Sequence, residues 1–225
     1  MIAIAIDGPA GAGKSTIAKH LARVLEYIYV DTGALYRAIG WYALSQGEKS
    51  DDEAAVTALL PRLQVELRYQ DGEQRVLVSG EDVTEKIRTP EVSMAASQVS
   101  AMPAVRQHLF QLQRQMAQEH NVVMDGRDIG TVVLPQAQIK IFLTADAEDR
   151  ARRRHEELLQ RGEKVTYDEV LRDIRQRDDN DSHRAVAPLK QAPDALLVDT
   201  TGHTLEQSIQ RLTAIVKERL EHVVL

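Results

Sequence analysis

Apolar residues occur along this chain in two alternating kinds of run. Short, largely β-branched stretches read as strands: IAIAI at 2–6, YIYV at 27–30, VVM at 122–124, IKIFL at 139–143 and ALLV at 195–198. Between them apolar residues recur at helical spacing. Ile17, Leu21, Val24 and Leu25 mark a helix from Ser15, and a second helix covers 35–45. Val105, Leu109, Leu112 and Met116 mark another after Pro103, and Val170, Leu171 and Ile174 one more. Leu205, Ile209, Leu212, Val216 and Leu220 form the stripe of a last helix, with Thr204 and Gln207 as its capping box. Strands alternating with helices predict an α/β fold on a largely parallel sheet.

The middle of the chain breaks that rhythm. QVELRY at 64–69 and RVLVS at 75–79 alternate apolar and polar positions around Asp71 and Gly72, the signature of a hairpin between half-exposed strands. A small antiparallel insertion is therefore expected over 63–90, with 1–62 and 91–225 forming the core.

Composition narrows the function. With 43% apolar and 28% charged residues, the chain has the make-up of a globular protein and not of a disordered one. It has no cysteine, which excludes a thiol nucleophile, a thiolate metal site and a disulfide framework. The longest apolar run, 1–6, is too short to cross a bilayer and lacks a signal peptide's basic flank, so a cytoplasmic protein without membrane association is expected. A net charge of −6 makes a nucleic-acid polymer a poor partner. Of the 28 basic residues, 20 are Arg, a bias that suits local bidentate binding of carboxylates or phosphates.

One motif carries most of the chemistry. GPAGAGKS at 8–15 matches G-x-x-x-x-G-K-[ST] and stands between a predicted strand and a predicted helix. Gly8, Pro9, Ala10, Gly11, Ala12, Gly13, Lys14, Ser15 and Thr16 are thus expected to cradle a nucleoside triphosphate. The helix end contributes its dipole, Lys14 reaches the β- and γ-phosphates, and the Ser15 hydroxyl ligates Mg²⁺. No guanine-reading N-K-x-D segment is present, and the D-x-x-G match at 199–202 comes too late to be a GTPase switch. A kinase for a small acceptor is the reading that remains.

The acceptor's chemistry is sought at other strand ends, because ligands of α/β sheets lie beyond the C-terminal ends of the strands. The strand at 122–124 runs into Asp125, Gly126, Arg127 and Asp128, which makes Asp125 a candidate to position the cation. The strand at 27–30 runs into Asp31 and offers Thr32, Tyr36 and Arg37. Segment 150–184 holds nine arginines and nine acids, too balanced for an RNA groove. Most of its ion pairs are worth about 0–1 kcal/mol. Functional arginines are expected among 150–154, at Arg177 and at Arg184. An acceptor monophosphate, with a second pKa near ~6, needs no general base. What it needs is guanidinium groups to offset repulsion between two anionic phosphates.

Residues 8–16, 31–37, AASQV at 95–99, 125–130 and RDDNDSHRAVAPL at 177–189 together resemble the bacterial cytidylate kinases, over essentially the whole chain. The resemblance implies a three-layer P-loop kinase fold with a five-stranded parallel sheet, a small antiparallel insertion of the NMP-binding region, and a short helical lid at about 150–166. It implies transfer of a phosphoryl group from ATP, with Mg²⁺, to CMP or dCMP; a monomer is expected. Arg37 and Arg127 would then hold the acceptor phosphate, Ser97, Arg106 and Asp128 would read the cytosine edge, and Arg177 and Asp181 would hold the sugar. Arg184 would approach from the lid side. With Lys14 from the loop motif, Asp125 from its strand end and Arg154 from the 150–154 cluster, Arg127 and Arg184 complete the expected catalytic set. Ser15 stands where some members have Gly or Thr, and Thr32 where Ser is common. The residues alone leave open another small-acceptor kinase, for UMP or dTMP, or a nucleotide sensor without transfer activity.

Overall fold

The computed structural model describes residues 1–70 and 73–223; Asp71 and Gly72, on which the hairpin turn was expected, lie outside the described residues. The chain opens with β1 (Ala3–Asp7), α1 (Lys14–Leu25), β2 (Ile28–Asp31) and α2 (Thr32–Ser45). Next come α3 (Glu53–Leu59), β3 (Val65–Gln70), β4 (Glu73–Val78), β5 (Glu81–Asp82), α4 (Pro90–Val99) and α5 (Pro103–Glu119). The remainder is β6 (Val122–Gly126), β7 (Ile139–Thr144), α6 (Ala147–Gln160), α7 (Tyr167–His183), β8 (Leu196–Asp199) and α8 (Leu205–Glu221).

The five strands expected from the apolar runs form one sheet in the order β2-β6-β1-β7-β8, every neighbouring pair parallel. Strand periodicity assigns its two faces. Ile4, Ile6, Val123, Ile141, Leu143 and Val198 pack on one side against Ile17 and Leu21 of α1 and Leu212 and Val216 of α8. Ala3, Ala5, Val30, Val122 and Met124 face the other side, toward Met116 of α5 and a π-helical turn at Ile129–Val133. Helices on both faces bury the central strands β1, β6 and β7, which is why these read as continuous apolar runs.

The antiparallel strands β3, β4 and β5 form a second sheet, whose inner residues Val76 and Val78 share a core with Leu35 and Ile39 of α2 and Val105 and Leu109 of α5. Helix α2 begins three residues before the expected position 35, because the Asp31 carboxylate caps it by accepting the Ala34 N–H at 2.9 Å. Helices α3 and α4 and the π turn were not anticipated from apolar spacing. The segment IGTVV at 129–133 is rich in β-branched residues; its winding follows from tertiary contact, since the Asp7 carboxylate accepts the N–H groups of Ile129 at 2.8 Å and Gly130 at 2.7 Å. Among the described residues no helix is long and apolar enough to cross a membrane.

Candidate active site

The loop between β1 and α1 is shaped by glycine. A Cβ on Gly8 would sit 1.9 Å from the Leu143 carbonyl oxygen, and Gly13 takes φ +85° immediately before the helix. Among the described residues no side chain caps α1, which leaves its first N–H groups free for a ligand. Ala10, Gly11, Ala12, Gly13, Lys14, Ser15 and Thr16 line a cleft of about 890 Å³. Gly8 and Pro9 are buried behind them and do not line it. Lys14 Nζ donates to the Pro9 carbonyl at 2.7 Å. Burial, reinforced by nearby Arg127, pulls the Lys14 pKa well down, while Asp125, Asp181 and Asp7 oppose that fall. Ser15 Oγ donates to Asp125 Oδ2 at 2.9 Å.

Asp125 is brought here because β6 lies beside β1 and β2 in register, Ile6 and Asp31 both opposite it. Its other oxygen accepts from Tyr29 Oη at 2.9 Å. Burial, with the Asp31 charge, pushes the Asp125 pKa up to about 6 against the pull of Lys14. Asp7 is raised to about 6 chiefly by burial, in spite of its two backbone donors.

Farther along the same cleft, arginines are paired with carboxylates. Arg37 meets Asp31 at 2.8 Å, and Arg127 Nε meets Asp181 Oδ2 at 2.8 Å. Ser97 Oγ donates to the other Asp181 oxygen at 3.2 Å. Burial acts to raise the Asp181 pKa, but Arg127 and its neighbours outweigh it and hold the carboxyl low. Arg177 is brought down to about 10 by burial and by Arg127, and its Nε has no partner among the described residues. The Thr32 hydroxyl is spent on the Asp125 carbonyl at 2.7 Å, leaving only acceptor lone pairs for a ligand.

Asp128 is held from two sides, by Arg106 and by Arg184 at 3.3 Å. Arg106 packs over the Tyr36 ring at 5.7 Å and donates to the Ser100 carbonyl; it lies behind Asp128 and does not line the cleft. Arg184, expected on the lid side, instead bonds Ser100 Oγ at 3.0 Å and the Ala187 carbonyl at 2.6 Å beside Asp128. The arginines of 150–154 divide by role. Arg150 is buried and ties α6 to the Ala10 carbonyl at 2.8 Å and to Asp178 at 2.6 Å. Arg152 and Arg153 share Asp149, and Arg153 also holds the carbonyls of Thr200 and His203. Arg154 lines the cleft, is paired with Glu157 at 2.8 Å, and its charge contributes to lowering Arg177.

Tyr29 and Ser100 line this cleft and were not anticipated from the sequence; nor was Asp7, which does not line it. Tyr29 lies two residues before Asp31 and so on the same strand face, a legible signal, but which β6 residue it meets depends on register.

A family model described as "Cytidylate kinase" matches residues 4–218. The cytidylate kinase of Carboxydothermus hydrogenoformans is 51% identical over 213 residues, covering 95% of this chain and 96% of that one. That of Bacillus licheniformis is 49% identical over 221 residues, covering 98% of each. A crystal structure of an uncharacterized protein from Eubacterium ventriosum superposes with a TM-score of 0.53 over 96% of this chain and 99% of that chain; at 12% identity it shows the fold alone. A glycine loop before α1 and a set of arginines on one cleft, in a chain matched by the family model over residues 4–218 and about half identical to curated members over nearly its whole length, mean that this chain belongs to the cytidylate kinase family.

Proposed function

We propose that this protein transfers the γ-phosphoryl group of ATP to CMP or dCMP, giving ADP and CDP or dCDP. One observation carries this reading: the phosphate loop, the arginines Arg37, Arg127 and Arg177, and Asp128 all line a single cleft. The donor phosphates lie in the nest of loop N–H groups, with Lys14 released from the Pro9 carbonyl onto the β- and γ-oxygens. Ser15, its proton held by Asp125, turns lone pairs toward the cation that travels with ATP. Ser15, with Asp125 behind it, would hold Mg²⁺. When bound, Mg²⁺ neutralises charge on the phosphates.

The acceptor phosphate oxygen forms the new bond to the γ-phosphorus as the bond to the bridging oxygen of ADP breaks. At pH 7 that oxygen is already mostly ionised, so no protein base is used. Arg37 and Arg127 exchange Asp31 and Asp181 for phosphate, and Asp181, with Arg177, turns to the sugar hydroxyls. Arg154 reaches in from a lid spanning about 150–166. Arg184, by its contacts, serves the base end beside Asp128. There Asp128 accepts from the exocyclic amine of cytosine; uracil would present a carbonyl to it instead. A mismatch of that kind costs roughly 1–3 kcal/mol, about 10–100-fold in selectivity. The 63–90 insertion completes the acceptor region, and the protein acts as a cytoplasmic monomer.

The test is ADP release with CMP, dCMP, UMP, dTMP and AMP as acceptors, with Lys14→Ala as the control. Turnover with CMP and dCMP, lost in a folded Lys14→Ala protein, is expected. UMP used as fast as CMP would overturn the role of Asp128.

A further inference from the structure

Among the buried, hydrogen-bonding groups that the proposed reaction leaves unused is the phenol of Tyr29. In the β2–β6 pair Tyr29 stands opposite Val123 and Asp31 opposite Asp125, so Tyr29 and Asp125 project from the same sheet face one step apart. That offset brings the hydroxyl 2.9 Å from Asp125 Oδ1, while Ser15 Oγ donates to Asp125 Oδ2 at 2.9 Å. A carboxylate with one donor can turn about its last bond and present either oxygen. One with a fixed donor on each oxygen cannot turn without breaking both bonds. We propose that Tyr29 is a positioning residue for phosphoryl transfer, acting on the donor cation through Asp125 and Ser15. By pinning Oδ1 it leaves Oδ2 as the fixed acceptor of the Ser15 proton, which keeps the Ser15 lone pairs turned toward the cation.

The tyrosine is itself held from outside the core sheet. Its carbonyl accepts from Tyr69 Oη of β3 at 2.9 Å. Lys19 Nζ lies 5.8 Å from its ring centroid and pairs with Glu73 of β4 at 3.3 Å. Both hairpin strands therefore bracket the residue that fixes Asp125, and the acceptor-side insertion is mechanically joined to the donor site.

This inference rests on the donor reading above, and its test separates the two. Tyr29→Phe keeps the ring and deletes only the donor. The expected result is a half-saturating Mg²⁺ concentration raised about 3–10-fold with the KM for CMP changed less than twofold. Mn²⁺ binding to the complex with a non-hydrolysable ATP analogue, followed by electron paramagnetic resonance, weakens by a similar factor. In a Ser15→Ala background the same substitution has no further effect, because the group it acts through is gone. A folded Tyr29→Phe protein with a lower Tm but unchanged Mn²⁺ affinity would show a packing role only and overturn the inference. So would an equal effect in both backgrounds, or a KM for CMP that rises as much as the Mg²⁺ requirement. Divalent-independent turnover by the unaltered protein would instead overturn the donor reading beneath it.

Discussion

A carboxylate buried at the end of a parallel strand costs free energy that grows with its ionisation, and among the described residues Asp7 bears this cost without a cationic partner in contact. Burial raises its pKa from 3.8 to about 6 even though two backbone N–H groups favour the charged form. A raised acid binds its proton more tightly in the folded state, so stability falls as pH rises between about 4 and 6. At about 1.36 kcal/mol per pKa unit the full effect is roughly 3 kcal/mol. Asp7→Asn removes this titration. Its Tm relative to the unaltered protein should therefore improve as pH goes from 4 to 6, and parallel Tm curves in scanning calorimetry would refute the assignment. Asp128 is the opposite case, a buried acid matched by two guanidinium groups. Asp128→Asn should raise the KM for CMP at least about 10-fold and leave that for ATP within twofold, since the amide keeps one acceptor oxygen and turns an NH2 donor toward Arg106, Arg184 or the cytosine amine. Removing one charge from a buried pair costs about 3–5 kcal/mol, so the kinetics belong well below the lowered Tm.

At the scale of elements, end signals matter more than apolar spacing for placing the functional side chains. Helix α7 carries Arg177 and Asp181, and its start is set by a capping box in which Thr166 accepts from the Glu169 N–H and Glu169 accepts from the Thr166 N–H. The T-x-x-E signature at 166–169 is legible in the sequence, as is the equivalent Thr204 and Gln207 pair. Thr166→Ala should cost about 1 kcal/mol, a fall in Tm of about 2–4 °C by calorimetry, with the chemistry intact at 25 °C. Helix α4 was less legible, since Pro90 after Thr89 reads as a break when the cap on the Val92 N–H is not seen. The insertion also covers the open edge of β2, where Gln74 Oε1 takes the Asp31 N–H at 3.0 Å.

Over the whole molecule the cleft is walled by separate apolar clusters: one under α1 and α8, one shared by α2, α5 and the insertion, and a small one of Ala151, Leu158, Val170 and Ile174 between α6 and α7. Side chains from all of these units line it, so substrates bound in it touch all of them at once. CMP together with a non-hydrolysable ATP analogue, each at about 100 times its Kd, should stabilise by about 2.7 kcal/mol per site, raising Tm by about 5–10 °C for each. UMP at the same concentration should raise it less. Equal shifts from CMP and UMP in scanning fluorimetry would argue against base recognition at Asp128.

The phosphate loop, the parallel strands and the antiparallel insertion follow from the sequence by itself, because each is set by local geometry. Glycines permit the tight turn, period-two and continuous apolar runs mark the strands, and Thr204 stops and starts the chain where its own backbone needs a partner. Only the tertiary structure decided which arginine meets which acid. Arg127 with Asp181, Arg184 with Asp128 and Tyr29 with Asp125 are separated by 54, 56 and 96 positions, and nothing within a few residues of either partner selects the other. Strand register and the packing of α4, α5 and α7 around one cleft make that selection, since burial leaves each charge only the partners the fold brings within hydrogen-bond reach.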